Sequence, residues 1–116
     1  MITPTADIKV WLYTGVADMR CSYNGLLALT KTRLRENPSD GQLFVFINRQ
    51  RNQMKCLYYE SGGYCLWCKR LEQGRFAQIQ SVEGKILMTK IELEMLIDGI
   101  DLSTVKKRKR YHKNVS

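Results

Sequence analysis

"QLFVFINRQRNQMKCLYYESGGYCLWCKR", residues 42–70, decides how this chain is read. Residues 42–48 are rich in β-branched and aromatic side chains. Residues 53–60 place Met54, Cys56 and Tyr58 on alternate positions, and both runs fit strands. The four polar residues 49–52 between them are a hairpin-length link. "SGG" at 61–63 is a second turn. Residues 64–73 fit either a strand or a short helix, because Leu66, Trp67 and Leu71 do not settle the period. Gly74 then reads as a helix stop.

Working outward, "IKVWLYTG" at 8–15 alternates and closes on Gly15, as a strand does. Residues 25–36 carry apolar side chains at 26, 27, 29 and 34 and basic ones at 31, 33 and 35. That spacing predicts an amphipathic helix, capped by Ser22 or Asn24 and ended by the "NPSDG" turn at 37–41. "FAQIQ" and "KILMT" read as a further pair of short strands around "SVEG". Thr89 and Glu92 stand three apart before Leu93, Leu96 and Ile97, a capping-box signature for a helix ending near Gly99. The expected fold class is α+β: a small antiparallel sheet built from hairpins, with two or three helices packed on it and a basic, disordered C-terminal tail. One domain over 1–103 and a flexible tail over 104–116 are the expected boundaries.

The 116 residues carry 19 Lys and Arg against 11 Asp and Glu, a formal charge of +8, which favours an anionic partner. Six of the basic residues lie in "KKRKRYHK", residues 106–113, and six more between Arg49 and Arg75. No apolar run approaches the ~20 residues of a membrane span. The N-terminus shows no basic-then-apolar export pattern, so a cytoplasmic protein with reduced cysteines is expected.

Cys65 and Cys68 have the spacing of half a zinc site or of a redox dithiol. Cys21 and Cys56 are singletons and His112 lies in the tail, so the second ligand pair is lacking. No βαβ unit with a cysteine at a helix N-terminus supports a dithiol enzyme. The cysteines read as packing residues, and no metal or cofactor is expected. No catalytic set is assembled either: neither a histidine within the folded part nor a phosphate-cradling glycine loop is present. Asp18, Asp40 and Glu60 leave a small metal-dependent nuclease as the weakest reading.

What remains is basic and aromatic. Arg49 and Arg51 occupy a turn, where side chains are exposed. Lys69, Arg70 and Arg75 follow the second turn, and Lys55 stands between. Arginine forks match phosphate oxygens, whereas Trp67 and the alternate tyrosines read as core. Lys106, Lys107, Arg108, Lys109 and Arg110 add a sequence-indifferent basic arm.

Three strings in this chain are specific: Asp18-Met19-Arg20, the strand end Phe44-x-Phe46-x-Asn48-Arg49, and Trp67…Lys69-Arg70-Leu71-Glu72…Gly74-Arg75-Phe76. Over about residues 8–102 the chain resembles the accessory protein (TnpB-type, second reading frame) of the insertion-sequence sixty-six family of bacterial transposons. The resemblance implies a role in DNA transposition beside a separate transposase that carries the catalytic acids. It marks Asp18, Met19, Arg20, Asn48, Trp67, Glu72, Gly74 and Phe76 as structural or partner-contact positions. Cys21, Asn24 and Cys68 depart from the family pattern, which argues against a zinc site through Cys68. The implied partners are duplex transposon DNA and the transposase, with a homo-oligomer allowed and nucleoid association when DNA is bound. The competing reading is a subunit that docks only on the transposase. Asp18 and Arg20 are expected to pair and fix the connection after the first strand, so that loss of Arg20 destabilises the domain.

Overall fold

A computed structural model describes residues 8–98 of the chain. In order it holds β1 (Val10–Tyr13), α1 (Tyr23–Thr32), β2 (Leu43–Ile47), β3 (Gln53–Glu60), β4 (Gly63–Arg70), β5 (Lys85–Met88) and α2 (Lys90–Ile97). The five strands form one sheet in the order β4-β3-β2-β1-β5. The expected helix end near Gly99, the domain boundary at 103 and the whole tail, including Lys106 to Arg110, lie outside the described residues.

Residues 42–70 form three successive antiparallel strands, as their turns require. Val45 faces Cys56 across β2 and β3, and Cys56 faces Trp67 across β3 and β4. The question over 64–73 resolves as a strand through Arg70, after which 71–73 leave the sheet. Ser61 and Gly62 both take positive φ, +51° and +82°, which makes the two-residue turn that lets β4 pair with β3 along its length.

The expectation of an antiparallel sheet is corrected at β1. This strand runs parallel to β2, with Val10 beside Leu43 and Leu12 beside Val45. Parallel neighbours need a long crossover, and α1 supplies it. The sheet is therefore mixed, with a strand–helix–strand unit joined to a meander. A second correction concerns 76–80, which is not a strand. β5 pairs instead with β1, Trp11 facing Leu87. β4 and β5 are the two edges of the sheet, so residues 71–84 must cross all the strands and have no edge to pair with on the way.

Alternation along each strand sorts the core into two layers. One layer joins Val10, Leu12, Val45, Ile47, Met54, Cys56 and Met88 to Phe76, Ala77 and the α2 residues Leu93 and Leu96. The other joins Phe44, Phe46 and Leu57 to Ala17 and to Leu26 and Leu34 from α1 and its exit. β2 is covered on both faces, which explains why all five of its residues are buried. Phe44, Phe46 and Phe76 are fully buried, and each such ring contributes about 1.5–3 kcal/mol by leaving water.

Both helices start as their caps predict. Ser22 is the N-cap of α1, although its side chain makes no capping bond. Thr89 accepts from the Glu92 amide and Glu92 accepts from the Thr89 amide, completing the capping box of α2. Lys85 of β5 ties the sheet edge to the exit of α1. Its ammonium donates to the Leu34 carbonyl and to Glu36, 2.8 and 2.6 Å away, and lies 4.5 Å over the Trp11 ring. Among the described residues no helix is long and apolar enough to cross a membrane.

Candidate nucleic-acid interface

The register places Tyr13, Ile47, Gln53 and Arg70 at one end of the sheet. Three connections meet there: 14–22 leaving β1, the 48–52 turn leaving β2, and 71–84 crossing from β4. The chain after β1 departs toward the α1 face, while 71–79 passes over the α2 face. Strand ends whose continuations diverge to opposite faces leave a crevice between them.

Asn48 builds the turn in that crevice. Its Oδ1 accepts from the amides of Asn52 and Gln53, each at 3.0 Å, and its Nδ2 donates to Asn52 Oδ1 at 2.8 Å. The Arg51 amide donates to the Asn48 carbonyl. This turn holds Arg51 at φ +59°, a left-handed conformation that a side chain rarely takes. Two backbone bonds dock the next connection onto the turn: Leu71 N–H to Asn52 and Phe76 N–H to Arg51, both 2.7 Å. Gly74 turns the chain between them at φ +78°, and the fully buried Phe76 anchors it in the core. Arg75 is thereby carried to the same place as Arg49 and Arg51.

The three arginines line a cleft of about 340 Å³ whose other walls include Thr14, Val16, Asn48 and Gln78. Arg49 and Asn48 also border an adjoining hollow of about 680 Å³ made with Asp18, Met19, Arg20, Gln50 and Gln53. The family strings from three distant parts of the chain thus meet at one end of the sheet. Gln53 and the Tyr13–Val16 segment are wall residues that sequence reasoning missed. They carry no charge or motif of their own; Gln53 joins the site through the hairpin that Asn48 closes, and Tyr13–Val16 only through the β1–β2 pairing.

Asp18 and Arg20 form a two-pronged pair. Arg20 Nη2 donates to Asp18 Oδ2 at 2.6 Å, Arg20 Nε donates to both carboxylate oxygens, and the Arg20 amide adds a further bond at 2.9 Å. These bonds hold the Asp18 carboxyl down to about 2. The Arg20 side chain is 91% exposed, so the pair shapes a surface and adds little stability. The expected pair is thus present, and its exposure predicts that loss of Arg20 costs the domain little stability rather than much. Ala17 and Met19 pack into the α1-side core and position the string instead.

Not every expected residue joins the arginine cleft. Strand alternation turns Lys69 and Arg70 to opposite faces. Lys69 Nζ donates to the Ile97 carbonyl at 2.7 Å, at the C-terminus of α2, where a cation is favoured. Lys55 Nζ donates to the carbonyls of Met19 and Cys21, at 2.9 and 2.7 Å, and so supports the Asp18-Met19-Arg20 string from beneath. Arg70 is exposed at the same end of the sheet, on the α1 side. Glu72 is exposed, and Trp67 is half-buried against the α2-side core.

The cysteine pair is divided by the same alternation. Cys65 shares a face with Trp67, Cys68 with Leu66, so the two thiols point to opposite sides of the sheet. Burial pushes the Cys56 thiol up to about 12. Asp18 is at the cleft end, whereas Asp40 and Glu60 belong to the far end, beside the start of β2 and the end of β3. The three acids weighed for a nuclease therefore do not converge.

A family model described as "IS66 Orf2 like protein" matches residues 8–107. The uncharacterized protein y4hO of Sinorhizobium fredii (strain NBRC 101917 / NGR234) is 37% identical over 101 residues, covering 87% of this chain and 88% of that protein. The uncharacterized protein y4jC of the same organism is 32% identical over 108 residues, covering 93% and 92%. No solved structure matches.

Proposed function

The chain belongs to the IS66 Orf2-like family, and on that premise we propose that it is a non-catalytic accessory factor of DNA transposition that holds transposon DNA by its phosphates. The observation that carries this reading is the convergence of Arg49, Arg51 and Arg75 on one cleft, with no acidic side chain among the described residues lining it. Arginine forks suit phosphate oxygens, and contacts of this kind position a nucleic acid without reading its sequence. The cleft presents neither a nucleophile–base pair nor converging carboxylates, which favours binding over cleavage. Asp18, Arg20, Gln50 and Gln53 extend the polar rim toward the 14–22 connection. Lys55 and Lys69 act as supports of the fold rather than as phosphate ligands. The tail's basic run adds a second, sequence-indifferent attachment, and the protein works in the cytoplasm beside its element's transposase.

Charge reversal tests this. Arg49→Glu with Arg51→Glu is expected to remove most DNA affinity and to leave the melting temperature within a few degrees, since Arg49 is exposed and the half-buried Arg51 forms no ion pair among the described residues. Every arginine–phosphate pairing removed from a duplex complex flattens the logarithmic salt slope by roughly 0.9. Unchanged affinity and slope in this variant would move the reading to a surface that docks on the transposase alone.

A further inference from the structure

The arginine cleft has a neighbour. A hollow of about 830 Å³ opens beside it, between the exit of α1 and the 81–85 turn, and Arg33, Arg35 and Ser81 are among its walls. Tyr13, Thr14 and Gly15 line both spaces, so this short segment is the partition between them. Val16, Asn48 and Arg49 form a second partition, toward the Asp18–Arg20 hollow. Three concavities therefore follow one another along the carboxyl ends of β1 and β2. Exposed arginines stand in each: Arg33 and Arg35, then Arg49 and Arg75, then Arg20.

Two features of this row point to a ligand. The Tyr13 ring is folded over Gly15 so closely that a Cβ there would come within 2.4 Å of it. The ring is half-buried, its inner side tilted against Phe46 at 5.9 Å. Its hydroxyl makes no hydrogen bond to another described side chain or backbone group. Gly15 gives the outer end of the ring its room, and the ring stands on the wall between two arginine clusters. The second feature is backbone conformation. Arg35 and Arg51 both take left-handed φ, +55° and +59°. Arg35 closes the end of α1, where the Glu36 amide donates to the Thr30 carbonyl, and Arg51 closes the 48–52 turn, so arginine stands on both cleft walls at positions glycine would take with less strain.

Resting on the DNA-binding reading above, we propose that the row is a track for single-stranded DNA, with phosphates on Arg33, Arg35, Arg49, Arg51 and Arg75 and a base stacked on Tyr13. A duplex is a stiff convex rod that keeps its bases inside. A single strand can enter successive hollows and lay its bases on aromatic rings, a mode that tolerates any sequence. Glu83 is the one carboxylate on the wall of the Arg33–Arg35 hollow among the described residues. Glu36, nearby, is neutralised by Lys85.

Fluorescence anisotropy with a 15-nucleotide oligo-dT and a 15-base-pair duplex tests the track. The unmodified protein is expected to bind oligo-dT more tightly than the duplex. Arg35→Gly is expected to lower oligo-dT affinity and flatten its salt slope by roughly 0.7, with a melting temperature that does not fall. Tyr13→Leu is expected to cost about tenfold in affinity, and Tyr13→Phe, which keeps the ring, much less. Duplex bound more tightly than oligo-dT, or Arg35→Gly binding oligo-dT as the unmodified protein does, overturns the track and leaves the arginine-cleft reading standing. Binding of neither probe overturns both.

Discussion

Asn48 is the single side chain on which the arginine cleft most depends. Asn48→Ala deletes the acceptor of two backbone amides, those of Asn52 and Gln53, and the donor to Asn52 Oδ1. Each intramolecular hydrogen bond contributes about 1 kcal/mol net. The amides are only partly buried, so water recovers some of the loss, and about 2 kcal/mol is the expected cost. For a folded unit of this size, where 1 kcal/mol moves Tm by about 4–8 °C, the melting temperature falls by about 8–16 °C. The functional loss exceeds the stability loss, because the same bonds hold Arg51 in its strained backbone and, through the Arg51 carbonyl, dock Phe76 and hence Arg75. Asn48→Asp separates the two effects. Aspartate keeps the acceptor for both amides but places a negative charge beside Arg49 and Arg51. It should retain most of the stability and lose DNA affinity. Thermal unfolding by circular dichroism and anisotropy at two salt concentrations read both quantities. An Asn48→Ala protein that melts within about 2 °C of the parent would refute the claim that this side chain organises the turn.

Arg20→Ala should leave the melting temperature nearly unchanged and raise the Asp18 titration midpoint from about 2 toward the ordinary aspartate value near 3.8, read by NMR of the carboxyl carbon; a Tm drop of several degrees would contradict the exposed-pair reading. Glu36 titrates below its usual 4.5, first because Lys85 donates to it. Its pairing with Lys85 therefore stabilises the fold above that pH, and the contribution is lost as pH falls through the lowered folded-state value. Glu36→Gln should flatten the acid limb of a stability–pH curve below about pH 4.5, and an unaltered limb would count against the coupling.

Much of the architecture could be read locally. β2 to β4 are legible because their turns are short and adjacent strands have no other partner within reach. α2 is legible because Thr89 and Glu92 make a cap from residues three apart. The basic strings at 49–51 and 69–75 stand out by charge alone. What local reading misses depends on long-range pairing. Nothing within "IKVWLYTG" tells that it inserts between β2 and β5, parallel to one and antiparallel to the other. Hydrophobic alternation is the same for either direction, so the choice rests on how the α1 crossover packs. That choice brings Tyr13–Arg20 to the end of the sheet where Asn48–Gln53 turns. The split of Lys69 from Arg70, and of Cys65 from Cys68, follows from the period of two once β4 is known to be a strand. The helix alternative would have left Cys65 and Cys68, three apart, on one surface. Residue types and turns were thus determined by the sequence itself, through forces that act within a few residues. Which arginines share a cleft was decided only by the tertiary structure, because the sheet order sets which strand ends meet.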